Sequence, residues 1–331
     1  MRRYANKEVN IVIQNWQDIE TFGWSNLLLG NGFSIGISQN FRYDSLLDVV
    51  DERKIKMYPH ARKLFDRDRI DTVNFEEVLR VIYHAYLVNF WNTDAIETLY
   101  YNVRKSLIEA VNIAHVDYDD VPVQAIESAL AGYDSIFTTN YDLIPYWSIM
   151  SSDFVGYCDY FWSGGTSFDA SDTNIFGGKA PIYYLHGALH LRTNMSGVTQ
   201  KVRATGETSI KQIIGESTLR SIPLFISEGK SQMKLRRIRE NDYLSFCYNS
   251  LIKLDGSLLV FGHGLDKEYD EHILSAIKAS SITRLAVSVF TGMRPEDKVA
   301  FASNIIAYFA DSKIEVVFFN SDTHPLSLSE G

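Results

Sequence analysis

Apolar runs of strand length recur along the chain, each closed by glycine or a polar residue. They read NLLLG from Asn26, DSIFTTN from Asp134, APIYYLHG from Ala180, GSLLVFGHG from Gly256, RLAVSVF from Arg284 and IEVVFFN from Ile314. Rich in branched and aromatic side chains, they fit strands buried on both faces of a parallel sheet. Between the first two runs the period changes. Phe75, Val78, Leu79, Ile82 and Tyr86 share one helical face after a cap at Thr72 or Asn74; Ile96, Leu99, Tyr100, Val103, Leu107, Ala110 and Val111 share another after Asp94. Residues 41–131 are expected to form a helical insertion, because ordinary crossovers are far shorter. A second long helix is expected from Ser231, ended at Asp255 and Gly256. The polar, glycine-rich stretch from Ser163 to Lys179 reads as a loop. The expected fold is α/β: a Rossmann-like open, mostly parallel sheet in a single domain over residues 1–331, with the helical insertion after its first strand.

Composition narrows the partners. The chain has 331 residues, 46% of them hydrophobic, enough for a sizeable core. Lysine plus arginine number 32 against 41 for aspartate plus glutamate, and the net charge of -9 disfavours direct nucleic-acid binding or attachment to an anionic membrane. The basic group Lys234, Arg236, Arg237 and Arg239 is broken by Glu240 and Asp242 and reads as a solvated helix face. The two cysteines, Cys158 and Cys247, offer neither a disulfide framework nor a four-thiolate zinc site. With no apolar stretch of membrane-spanning length and no signal core behind the two early arginines, a cytoplasmic location is expected.

Candidate chemistry gathers at the strand ends. Gly30-Asn31-Gly32, followed by Ser34 and Gly36, is a stripped turn entering a helix, an arrangement that brings backbone N–H groups and a helix N-terminus to a phosphate. A tight packing turn would read the same way, since Ile35 stands at the last position of the usual G-x-G-x-x-G fingerprint. FTTNYD adds Thr138, Thr139, Asn140 and Asp142; YYLHG adds His186 and Gly187; LLVFGHGL adds Gly262, His263 and Gly264. In an open parallel sheet such carboxyl ends converge on one ligand-binding crevice. Each residue also has a plainer reading: Asn140 as a turn, Asp142 as a helix cap, His186 as a core histidine.

In order, Gly-Asn-Gly-x-Ser, Thr-Thr-Asn-Tyr-Asp, Leu-His-Gly and Phe-Gly-x-Gly resemble the sirtuin-like domain of bacterial anti-phage defence proteins, which cleaves NAD instead of deacetylating proteins. NFEEVLR from Asn74 and FISEGKSQMKL from Phe225 resemble a subfamily of such proteins of this length, and the likeness runs from Asn26 to Leu274. It implies NAD+ as the substrate, without a metal. Gly30, Asn31, Gly32 and Ser34 would hold pyrophosphate and ribose, and Asn140 and Asp142 the nicotinamide ribose and the attacking water. His186 would be the catalytic histidine, Gly262 and Gly264 would approach the adenosine, and Thr139 and Gly187 complete the binding set. Two features depart from the family. Isolated cysteines cannot form the zinc module of the deacetylases, and Gly262-His263-Gly264 stands where Gly-x-Ser is usual.

The chemistry suits these residue types. Cleaving the nicotinamide–ribose bond builds oxocarbenium-like charge, and the pyridinium leaves without an acid. Asn140 can hold a ribose hydroxyl or water, Asp142 can orient its neighbours, and His186 can accept a proton. An NAD+ hydrolase that depletes NAD would need a gate: a homo-oligomer, an activating partner subunit or a signal nucleotide. A silent NAD or ADP-ribose sensor is the alternative. A dehydrogenase is a third reading, with Asp48 as a ribose-binding acid. Other groups have bland readings. His186 and His190 are spaced like helical metal ligands, yet Gly187 and the strand pattern argue against a helix there. Asp266, Asp270, Glu271 and His272 read as a capped, solvated helix start, with Asp270 near enough to touch a ligand. Glu228 and Lys230 read as helix capping, and YCDYFW, from Tyr157 to Trp162, as core or a partner surface.

Overall fold

A computed structural model describes residues 11–42, 45–89, 91–161, 166–175, 177–194, 196–202, 221–226 and 230–328. Among the described residues the main sheet has eight strands. In chain order they are β1 (Ile13–Gln14), β2 (Asn26–Leu29), β3 (Ser135–Thr138), β4 (Tyr157–Cys158), β5 (Ala180–Tyr184), β9 (Asp255–Phe261), β10 (Ser281–Val289) and β11 (Glu315–Asn320). Their spatial order is β1-β11-β10-β9-β2-β3-β5-β4, and every pairing is parallel. Three further strands, β6 (Gly187–Asn194), β7 (Thr199–Lys201) and β8 (Ser221–Phe225), form an antiparallel sheet in the order β7-β6-β8. The six apolar runs of the sequence are the six longest strands of the main sheet. This is the Rossmann-like open α/β fold.

Burial explains the central strands. Leu27, Leu28 and Leu29 of β2 are fully enclosed, and burying each side chain favours folding by about 2 kcal/mol. At the other end of the strand the Asn26 amide donates to the carbonyls of Asp255 and Ser257 and accepts from the Ser135 hydroxyl, tying β2 to both neighbours. From β2 the sheet grows through β3 to β5 on one side, whereas β9, β10 and β11 lie on the other. The boundary between β2 and β9 is therefore a topological switch point, and a crevice opens beyond the carboxyl ends of strands at such a point.

Between β2 and β3 the chain is helical. Thr93–Ala114 is the longest of its helices, and Leu46–Glu52 and Phe75–Val88 pack against it. Its inner face carries Ile96, Tyr100, Val103, Leu107, Ala110 and Val111, as the periodicity predicts. The cap is Asn92, with Asp94 inside the first turn.

Two expectations need correction. β1 precedes β2, so the insertion follows the second strand; a two-residue edge strand is too short to leave a pattern. The single helix expected from Ser231 is two helices, Ser231–Arg239 and Asp242–Ile252, because Asn241 takes an extended backbone and its side chain caps the second by accepting the Leu244 N–H. Tyr157 to Phe161 are all buried, which makes this aromatic stretch core; Trp162 lies outside the described residues. The Ser163–Lys179 stretch contains no helix or strand among its described residues apart from an isolated bridge at Ser167, and residues 163–165 and 176 lie outside them.

Candidate active site

A cavity of about 320 Å³ lies at the switch point. Its wall takes Asn31 and Gly32 from the turn after β2, Thr139, Asn140, Tyr141 and Asp142 from the segment after β3, His186 after β5, and Gly262, His263 and Gly264 after β9. Four sequence-distant strand ends thus meet in one place. Phe41, Lys234 and Asp270 complete the wall. Gly30, Ser34 and Gly187 stand behind it.

The glycines hold the turns together. Gly30 N–H donates to the Phe261 carbonyl and Gly32 N–H to the Gly262 carbonyl. A Cβ on Gly32 would sit 2.7 Å from that carbonyl oxygen, and one on Gly262 (φ +68°) would sit 2.3 Å from Phe33 N. The β2 and β9 turns touch backbone to backbone, closer than any side chain permits. The N–H groups of Gly30 and Gly32 are thereby committed to the end of β9, while Asn31 and Gly32 stand on the cavity wall. Gly187 (φ +75°) similarly allows β6 to cross β8, where a Cβ would meet the Leu224 oxygen at 2.2 Å.

Behind the wall a hydrogen-bond chain fixes Asn140. Its Nδ2 donates both to the Gly30 carbonyl (3.1 Å) and to Ser34 Oγ (2.8 Å), and Ser34 in turn donates to Asp142 Oδ2 at 2.6 Å. Asp142 Oδ1 accepts the Ile144 N–H, so this residue caps the Ile144–Met150 helix and also anchors Ser34. A carbonyl can only accept, so the amide nitrogen must face Gly30 and the amide orientation is settled. Asn140 Oδ1 is left buried with no hydrogen-bond partner among the described residues. Such an atom is unfavourable by about 1–3 kcal/mol until a donor reaches it. Burial pushes the Asp142 carboxyl above its usual range, opposed by neighbouring His115 and the Ser34 and Ile144 donors. His115 accepts the Leu143 N–H at Nε2, leaving Nδ1 to donate to the Val116 carbonyl; enclosure keeps this ring neutral.

His186 is buried and held far below its usual pKa, first by burial and then by Lys234, His272 and His263. Its Nε2 lies 2.9 Å from His272 Nε2. His263 accepts the Leu265 N–H at Nδ1, and Leu265 itself is strained at φ +45°. Burial lowers the His263 pKa too, against the opposing pull of Asp270, whose Oδ2 lies 3.9 Å from His263 Nδ1.

Lys234 and Asp270 were expected on solvated helix faces, with Asp270 near a ligand. Both turn inward. Lys234 shares an inner helix face with Ser231 and Ile238, and its Nζ lies 3.3 Å from Asp270 Oδ1, with both side chains nearly buried. Asp270 breaks helical geometry (φ -133°, ψ 19°) within Lys267–Ala279; burial raises its carboxyl, and His263, Lys234 and His272 together bring it below the usual range. His272, expected on the same solvated surface, is buried against His186. Tyr141 stacks on Phe225 at 4.9 Å between the two named residues of its motif. Nothing in the local sequence marks Phe41 or Lys234, which reach the cavity through long-range packing.

Other candidates lie apart. Asp48 bonds to Ser45 within the insertion and does not line the cavity. Lys230 forms an exposed pair with Glu268, and Glu228 lies outside the described residues. Both cysteines are buried and unpaired. Among the described residues no group of three or more potential ligands is arranged for a metal, and no helix is long and apolar enough to cross a membrane.

A family model described as a domain of unknown function, DUF4917, matches residues 27–326. The chain belongs to this family. The match runs from Leu27 in β2 past the end of β11 and takes in all four strand ends of the cavity. No curated protein matches the chain.

Proposed function

We propose that this DUF4917 protein binds NAD+ in the switch-point cavity and hydrolyses its nicotinamide–ribose bond. The observation that carries the reading is Asn140 Oδ1, a buried acceptor without a donor among the described residues, on a residue of the cavity wall. A ribose hydroxyl or an attacking water supplies the missing donor, and the Ser34–Asp142 chain holds the amide ready for it. The resemblance of these strand ends to NAD-cleaving sirtuin-like domains supports the same substrate. The dehydrogenase reading loses its ribose-binding acid, since Asp48 is remote from the cavity wall.

In this reading positive charge develops on the ribose as neutral nicotinamide departs. Asn140 positions the sugar or the water, Asp142 acts through Ser34, and His186 is the proton acceptor. Lys234 provides a cation for a phosphate, which the committed glycine amides do not. Free activity would deplete cellular NAD, so the protein acts as a gated cytoplasmic effector of anti-phage defence, switched by self-association, a partner subunit or a signal nucleotide. The test is nicotinamide release from NAD+ by the purified protein, alone and with lysate of phage-infected cells. Release in either condition supports hydrolysis; retained NAD binding with no release in both favours a sensor. One observation favours that second reading: in this conformation His186 Nε2 is already engaged by His272 Nε2 at 2.9 Å.

A further inference from the structure

The contacts of His272 fix where the His186 proton resides. Ser231 Oγ accepts the His272 N–H at 2.8 Å, and its hydroxyl hydrogen has His272 Nδ1 as its acceptor at 2.9 Å. His272 Nδ1 is therefore bare, and a neutral His272 ring carries its proton on Nε2. Across the 2.9 Å contact that Nε2–H donates to His186 Nε2, so a neutral His186 ring carries its proton on Nδ1. The chain runs from Ser231 to His272 to His186, with each donor direction set by the one before. It is enclosed, and the charged or titratable groups that face it are Lys234 from the Ser231–Arg239 helix, Asp270 from the Lys267–Ala279 helix and His263 from the turn after β9.

We propose that Ser231 and His272 are positioning residues for His186: they hold it as the Nδ1–H tautomer and cover its acceptor nitrogen until a bound ligand displaces the His272 donor. The part that concerns turnover rests on the NAD-hydrolase reading; the tautomer assignment stands by itself. It links the cavity to the start of the Ser231–Arg239 helix, whose Lys234 is on the cavity wall. A motion of that helix against Lys267–Ala279 would uncover His186.

The test is two-bond proton–nitrogen NMR on the full chain labelled with 15N-histidine, with signals assigned by His186→Gln and His272→Gln. The expected spectrum has His186 Nε2 unprotonated and His272 Nε2 protonated; finding both in the same tautomer overturns the proposal. Ser231→Ala should spread His272 over both tautomers, and an unchanged His272 pattern there also overturns it. His272→Gln keeps an N–H donor and should preserve the His186 pattern, while His272→Phe should shift the His186 Nε2 signal. In nicotinamide release, Ser231→Ala should lower kcat about tenfold and leave KM nearly unchanged; a fall in binding alone contradicts the positioning role. If the wild type releases no nicotinamide, the hydrolase reading fails while the spectra still decide the tautomers.

Discussion

His186 and His190 are four residues apart and both enclosed, yet they occupy opposite kinds of site. His186 lies on the cavity wall with its Nε2 2.9 Å from His272 Nε2. His190, on β6, has no hydrogen-bond partner at either nitrogen among the described residues; it stacks on Tyr146 at 4.1 Å and meets Tyr184 edge-on at 4.9 Å. Nearby, Lys201 and Asp159 form a largely buried 2.7 Å ion pair, with Lys201 over the rings of Tyr146, Phe154 and Phe161. The second region uses polar residues as packing material. The first joins its polar groups in directed hydrogen bonds and leaves one buried acceptor, Asn140 Oδ1, without a partner among the described residues. Residue type does not distinguish a site from a core; the direction of its hydrogen bonds does.

The comparison is most easily broken at Asn140. Asn140→Ala should reduce nicotinamide release by about a hundredfold or more with the fold intact, a loss of the size seen when one directed polar group is removed; circular dichroism and thermal melting check the fold. His186→Gln should cost about the same order in kcat, measured in the same assay. Gly262→Ala tests the scaffold, because its Cβ would collide with Phe33 N at a positive φ. It should destabilise the chain by about 2–4 kcal/mol in denaturant melts. His190→Phe lies at the small end: it removes two orphaned nitrogens from an aromatic stack and should leave activity unchanged and the melting temperature equal or slightly higher.

Acid provides a test of both regions at once. His115, His186, His190, His263, His272 and His324 all sit below the ordinary histidine value because of burial, with His272 and His324 lowered to about 3. The unfolded chain binds these protons near pH 6.5 and the folded chain resists them, so stability is present above that pH and is lost as pH falls toward 3. Each histidine contributes about a tenfold loss in the folding equilibrium per pH unit in that window. The raised carboxyls of Asp142 and Asp159 act in the opposite sense, and six histidines outweigh them. Unfolding followed by fluorescence should therefore begin below pH 6.5, before most carboxylates titrate.

Much of the architecture was legible because parallel strands are buried on both faces and leave continuous apolar runs, as NLLLG and GSLLVFGHG do. β1, β4 and β7 are too short to leave such a mark, and the Asn241 cap divides a helical period that continues on both sides of it. At the cavity, Asn140, Asp142, His186, Gly262 and Gly264 were legible as strand punctuation, because the sheet forces those ends together. Lys234, Phe41, Ser231 and His272 were not, since each arrives on a helix whose rotation is set by packing against other elements. The glycines were legible as special positions, but their cause was not: close approach of two turns and close approach of a ligand demand the same residue.

The most direct measurement follows NAD+ by proton NMR in the presence of wild type, His190→Phe and Asn140→Ala, each melted first to establish equal folding, in buffer and in lysate of phage-infected cells. Equal loss of NAD+ and gain of free nicotinamide with the first two, and neither with Asn140→Ala, is the predicted result. Undiminished cleavage by Asn140→Ala, or cleavage abolished by His190→Phe alone, would contradict the assignment of the switch-point cavity as the site.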